Sequence, residues 1–176
     1  PLVFKINSLV NTQFQLQSAT PSYDLSVSRS FSRLNSLFVT MHGATSTTVR
    51  DITTFIGANP EKIEGRVQIG SKLWPTGQPC KGISQFWYRL LSGLGVSHSA
   101  SHNIDIAETT YENGSFVWLT DTERVPVATG TGHSCNKGEL ITVSMQRLAD
   151  MHQRALVCCH HDAIVEIRDS GCEIVV

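Results

Sequence analysis

Charge is what this sequence has least of. Of its 176 residues, 16% are Asp, Glu, Lys or Arg, against about 25% in an average soluble domain. The 14 basic residues nearly cancel the 15 acidic ones, and no Lys/Arg cluster stands out. A domain dedicated to gripping duplex nucleic acid is thereby excluded, because it must replace counterions with basic charge. No run of about 18 apolar residues occurs, which excludes a membrane-spanning helix. Heptads, low-complexity tracts and internal repeats are missing too, so coiled coils and solenoids fall away. Five cysteines, Cys80, Cys135, Cys158, Cys159 and Cys172, are an odd number without regular spacing. They make no disulfide framework, and reduced thiols are expected. The chain opens on Pro1 and an apolar stretch without a basic leader. A signal peptide is therefore not read, and a processed product or an excerpt of something longer is expected.

What is present is hydroxyl-rich and strand-like. Ser and Thr make up about a fifth of the chain. A surface with so little charge suits either a soluble protein with polar loops or a subunit largely covered by neighbours. The dominant period is two: 24–28, 66–70, 116–119 and 140–145 alternate polar and apolar or are rich in β-branched and aromatic residues, as half-buried strands are. The run 37–41, then 155–160, 164–167 and 173–176 add further strands. Asn59-Pro60, Pro75, Gly77, Pro79, Asn113-Gly114, Gly130, Gly132 and Gly138 punctuate them. One segment differs. Ile83, Phe86, Trp87, Leu90, Leu91 and Leu94 fall at the spacing of an amphipathic helix over 83–94, with Ser84 as its cap and Gly93 and Gly95 as its stop. A weaker helical turn is read over 145–151. Many short strands with turn signals between them mean a sandwich or barrel, so the fold class is all-β with one inserted helix.

Few residues point to chemistry. Cys158-Cys159-His160-His161, with His133 and Cys135, has the residue types of a zinc site but lacks the Cys-x₂₋₄-Cys pair that lets thiolates converge. Adjacent strand residues point to opposite faces. Cys158 and His160 should therefore share one face and Cys159 and His161 the other, as core thiols and satisfied histidines. No metal and no cofactor is assigned. Gly132-His133-Ser134 is similar to the start of a nucleophile elbow, but Asn136 replaces its second glycine and a strand follows instead of a helix. A chymotrypsin-like cysteine protease using His42, Asp105 and Cys135 has the right chain order but lacks the Gly-x-Cys-Gly oxyanion loop. Gly93-Leu94-Gly95 ends a helix and so makes no phosphate loop. Asp121, Glu123 and Arg124 read as a solvated turn. Trp74 and Trp87 read as packing or interface anchors.

The stretch from Asp24 to Thr40, with Arg29-Ser30-Phe31-Ser32-Arg33-Leu34 at its centre, resembles a pattern in hexon-like major capsid proteins of Polinton-like and related eukaryotic DNA viruses and their endogenised copies. Val67 to Pro75 is similar to that family's strand ending in proline, and Phe86 to Leu91 to the helix after it. Gly138 to Val143 and His161 to Ile174 resemble its closing strands. The resemblance spans about Tyr23 to Val176, in short motifs whose order carries it. It implies a jelly-roll β-sandwich over 1–176, the C-terminal half of a double jelly roll, in a coat protein that forms homotrimeric capsomers of the virion with copies of itself and other capsid proteins. It implies no catalysis, with Arg29 and Arg33 as salt-bridge formers. A chain complete at this length would instead suggest a single jelly-roll coat protein. A jelly-roll module that binds carbohydrate or another ligand is the remaining alternative, and His160 and His161 are candidates for titration during assembly.

Overall fold

The computed structural model describes residues 2–17, 22–43, 63–95, 107–114, 116–123, 131–135, 138–146, 152–169 and 171–175. Ten strands are present among them: β1 (Leu2–Gln15), β2 (Ser22–Val27), β3 (Leu34–Gly43), β4 (Glu64–Ile69), β5 (Lys72–Trp74), β6 (Cys80–Lys81), β7 (Trp118–Asp121), β8 (Ile141–Gln146), β9 (His152–Arg168) and β10 (Gly171–Val175). They form two antiparallel five-stranded sheets. One runs β1-β9-β3-β7 with β10 also paired to β9; the other runs β2-β8-β4-β5 with β6 also paired to β4. Successive strands cross between the sheets from β1 to β4 and again from β7 to β9. That alternation is the jelly-roll topology.

The alternating residues pack as their period requires. In the second sheet Leu25, Val27, Val67, Ile69, Ile141, Val143 and Met145 are buried, and cross-strand pairing places Val143 beside both Leu25 and Val67. In the first sheet Leu37, Val39, Met41, Ala155, Val157 and Cys159 are buried opposite them. Gly65 is required by space: a Cβ there would meet Phe86 Cζ and Trp118 Cη2 at 3.0 Å.

The expected helix is α1 (Ile83–Gly93), burying Ile83, Phe86 and Leu90. Its N-cap is Gly82, at φ 75°, with no side-chain cap bond. The Gln85 side chain reaches back instead, accepting from the Lys81 N–H at 2.9 Å. Ser84 does not cap; its hydroxyl donates to Glu108 at 2.6 Å. Glu108 opens a second helix that the sequence reading lacked, α2 (Glu108–Gly114). Tyr111 fastens it: its ring is 4.9 Å from Trp87 and 5.3 Å from Phe116, and its hydroxyl donates to the Val117 carbonyl at 3.0 Å. Residues 155–160 and 164–167 do not form two strands; β9 runs unbroken through both. Met145 and Gln146 belong to β8, and the rest of the helical turn expected to follow them lies outside the described residues, as do Asn59-Pro60, Arg124 and Gly130.

Candidate functional site

The two sheets are unequal, and the difference exposes a surface. Along β1 the burial pattern is uniformly exposed from Leu2 to Asn7 and alternates only from Ser8 onward. Register identifies the uncovered side. Leu2 pairs with Ile167 and Ile167 with Cys172; Phe4 pairs with Val165 and Val165 with Ile174; Ile6 pairs with Ala163. These rows stand on the same side as Val10, Cys159 and Val157, which face the core further along the same strands. The core-facing side of the sheet therefore continues past the sandwich as a shelf. Leu2, Phe4, Ile6, Ile167 and Ile174 on it are all exposed.

The opposite side of this ribbon is chemically different. There Val3 pairs with Glu166 and Glu166 with Glu173, and Lys5 pairs with Ile164. Arg168 and Glu166 form an ion pair at 2.8 Å. Among the described residues, the shelf side carries no charged side chain. A three-stranded ribbon solvated on both sides would need polar residues on both. This one has them on one.

A buried polar knot ties the root of the shelf to the sandwich. A β-bulge between Leu34 and Ser36 sets two steps of β3 against one of β9, which re-aims Asn35. Asn35 Nδ2 donates to Asp162 Oδ1 at 2.8 Å, and Lys5 Nζ lies 2.7 Å from Asp162 Oδ2 as an ion pair rather than an aligned hydrogen bond. The Asp162 N–H donates to the Arg33 carbonyl at 3.0 Å. Burial works against the Asp162 carboxylate, but the Lys5 and Asn35 hydrogen-bonding groups and the charges of Lys5 and Arg33 outweigh it and hold its pKa below the usual range. Thr122 donates from its hydroxyl to the Leu34 and Asn35 carbonyls.

On β9 the opposite-face expectation holds. Cys159 and His161 are buried, whereas Cys158 and His160 are partly exposed. His161 stacks 4.7 Å from Phe31 and donates from Nδ1 to the Asp162 carbonyl. Burial, opposed by Asp162 and helped by His161, lowers the His160 pKa. All five cysteines are free. Of the residues singled out earlier, Arg29 and Arg33 are both exposed; Arg33 contributes its charge to Asp162, and the charge of Arg29 acts on Cys159. Trp74 and Trp87 are partly buried and pack against the core.

The supposed protease residues are not shown together. Cys135 is fully buried, and burial together with the Glu139 carboxylate pushes its thiol up to about 11. A reactive cysteine needs the reverse, a lowered pKa and access. Asp105 and the His42 side chain lie outside the described residues. The neighbours Cys135 does have are His133, whose Nε2 donates to Glu139 at 3.1 Å, and Glu139 itself. Sequence reading singled out the first two and missed the third.

No family model and no curated protein matches the chain. Solved structures do. A chain of PBCV-1 VP54, as fitted into a cryo-EM reconstruction of the virophage Sputnik, superposes with a TM-score of 0.58 at 9% identity, over 99% of this chain and 51% of that one. A chain of the Sputnik virophage structure superposes with a TM-score of 0.57 at 6% identity, over 99% of this chain and 38% of that one. The likeness confirms the fold, and this chain spans about half or less of either neighbour's length.

Proposed function

We propose that the chain is a structural building block of a viral coat, one jelly roll of a double jelly-roll capsid subunit, and that its work is assembly. The observation that carries this reading is the shelf: a core-facing sheet surface, continuous with the sandwich interior, uncharged and uncovered. The occupant proposed for it is a companion sandwich of the same subunit. Both neighbours are longer chains, this one covering 51% and 38% of them, and both come from virus particles by their descriptions. The low charge of the whole sequence is consistent with surfaces that meet other protein. The proposed subunit assembles into trimeric capsomers, with copies of itself and other capsid proteins as partners and the virion as its location, as the resemblance to Polinton-like major capsid proteins implies. Arg29 and Arg33 are proposed as interface or salt-bridge residues, and Trp74 and Trp87 as packing anchors.

Light scattering and negative-stain electron microscopy of the natural full-length subunit test the reading. Trimers or shells are expected. A strict monomer at every accessible concentration would overturn it. The ligand-binding alternative gains nothing from the geometry, because the inner faces of the paired sheets are closed by Val, Ile, Leu and Met side chains.

A further inference from the structure

We infer that the segment between β7 and β8 carries a divalent-metal site of the zinc type, formed by His133, Cys135 and Glu139. One ligand atom from each of these residues lies within 4.8 Å of the other two. In a tetrahedral zinc site, bond lengths of about 2.0–2.3 Å place neighbouring ligand atoms roughly 3.3–3.7 Å apart. A contraction of at most about 1–1.5 Å would therefore seat an ion.

The backbone holds all three positions independently of any metal. His133 and Leu34 exchange N–H···O bonds of 2.8 Å in both directions. The Cys135 N–H donates to the Phe31 carbonyl at 3.0 Å. Next to Glu139, the Leu140 carbonyl accepts from the Gly70 N–H at 3.1 Å. Gly70, at φ 56°, leaves room for the Glu139 side chain, whose Cδ would lie 2.9 Å from a Cβ at that position. The Trp74 ring stands 5.1 Å from His133, edge-on, and walls one side of the imidazole. The donors are thus anchored to three different parts of the fold, the segment before β3, the start of β3 and the turn after β4, and their side chains converge.

The donor set selects the kind of ion. A thiolate, an imidazole and a carboxylate suit Zn²⁺ or Co²⁺, whereas Mg²⁺ and Ca²⁺ prefer oxygen alone. Three protein ligands leave a fourth position for water. On binding, the Cys135 thiol loses its proton to solvent as the metal–sulfur bond forms, with no change of oxidation state. Without a metal, the His133–Glu139 ion pair would account for their 3.1 Å contact, and the Cys135 thiol would donate weakly to the His133 carbonyl at 3.8 Å. The site would staple this segment to β3 next to the bulge, and it does not depend on the coat-protein reading.

Cobalt(II) titration of the purified, metal-stripped protein separates the two. A thiolate-to-cobalt charge-transfer band saturating at one ion per chain is expected, together with a rise in melting temperature on adding zinc sulfate. Losing even a group that only orients a ligand weakens metal sites by about 10–100-fold. Cys135→Ser, His133→Gln and Glu139→Gln should therefore each weaken binding by about a hundredfold or more. Cys158→Ser and Cys172→Ser, which alter the more accessible thiols, should leave the band unchanged. Should Cys135→Ser fail to fold, His133→Gln and Glu139→Gln still decide, since each must lose affinity while its metal-free melting stays near wild type. Absence of the charge-transfer band, its survival in His133→Gln, or melting insensitive to zinc would overturn the site.

Discussion

Placing charge on the shelf should undock the proposed companion sandwich, and assembly with it, while leaving the fold of this sandwich nearly intact. Leu2, Phe4, Ile6, Ile167 and Ile174 keep 58%, 45%, 41%, 43% and 61% of their surface exposed. Full burial of such a side chain is worth about 1.5–3 kcal/mol, so covering the exposed fractions of these five would return roughly 4–7 kcal/mol. Free association costs about 4–15 kcal/mol. The shelf is therefore marginal at best as a lone bimolecular contact. It becomes stable when the occupant is tethered in the same chain, or when several contacts close a ring. Phe4→Glu with Ile174→Glu removes two apolar anchors and puts two carboxylates where they would be desolvated. The expected loss is about 4 kcal/mol of assembly, or roughly a thousandfold. Because both side chains face water in the isolated sandwich, the folding cost should be about 1 kcal/mol or less. Sedimentation velocity of the full-length subunit reads assembly and urea unfolding reads stability, with Val3→Glu on the charged side of the ribbon as control. Wild-type assembly by the double variant would refute the reasoning. So would equal damage from Val3→Glu, since the sidedness of the ribbon is the premise.

Asp162→Ala leaves Asn35 Nδ2 buried without its acceptor and removes the ion pair between buried Asp162 and partly exposed Lys5, so it should cost about 2–4 kcal/mol in chemical unfolding at neutral pH. Asp162→Asn keeps an acceptor for Asn35 and should cost clearly less; equal losses would show that the Asn35 bond contributes nothing. Both shifted groups make acid destabilising. The lowered His160 pKa favours its neutral form in the fold, so stability should fall first as pH drops below 6.5, and the lowered Asp162 pKa adds a second loss below 3.8. In pH-dependent melting, His160→Gln should erase only the first limb, and an unchanged profile would count against it. Gly132→Ala would drive a Cβ to 2.5 Å from the Leu34 carbonyl oxygen, forcing apart the paired His133–Leu34 bonds at about 2–3 kcal/mol; a variant melting like wild type would show that the segment has room to shift.

The parts of the fold legible in the sequence are those buried on one side. In β2, β4 and β8 alternating residues enter the core, so period two is written directly into them. The stripe of α1 gave its boundaries to within one residue. The strand β1 escaped notice because its sequence alternates only over Phe4-Lys5-Ile6-Asn7, between the apolar run Leu2-Val3-Phe4 and the apolar pair Leu9-Val10. In β9, Asp162 looks like an interruption. It is tolerated in mid-strand because Asn35 and Lys5, 127 and 157 positions away, satisfy it, and no local window contains that compensation. The short helix α2 has Tyr111 as its buried side chain and ends in Asn113-Gly114, which reads as a turn. Glu139 was missed although it is only six positions from His133. It stands at a strand-like boundary in sequence, and only the Gly70–Leu140 and Leu34–His133 bonds bring its carboxylate back to His133.

Strand lengths make the shelf a consequence of topology rather than of loose packing. With a rise of about 3.3 Å per residue, the 17 residues of β9 extend roughly 55 Å, while the six of β4 or β8 extend about 20 Å. The second sheet cannot cover the first along its whole length. From Arg154 to His161, β9 lies between β1 and β3, and its inward residues Ala155, Val157 and Cys159 are buried against the second sheet. Beyond it, β10 replaces β3 beside β9 while β1 still flanks the other edge, and the apolar rows continue, Phe4–Val165–Ile174 repeating the pattern of Val10–Cys159 further in. A ribbon selected only for solubility would carry charge on both sides at that point, as its other side does with Lys5, Glu166 and Glu173 beside the exposed Val3 and Ile164. Keeping one side uncharged costs solubility in the separate domain and is offset only where another surface covers it. The scarcity of charge thus has a location: charge is withheld where the core-facing side of this sandwich continues past its second sheet.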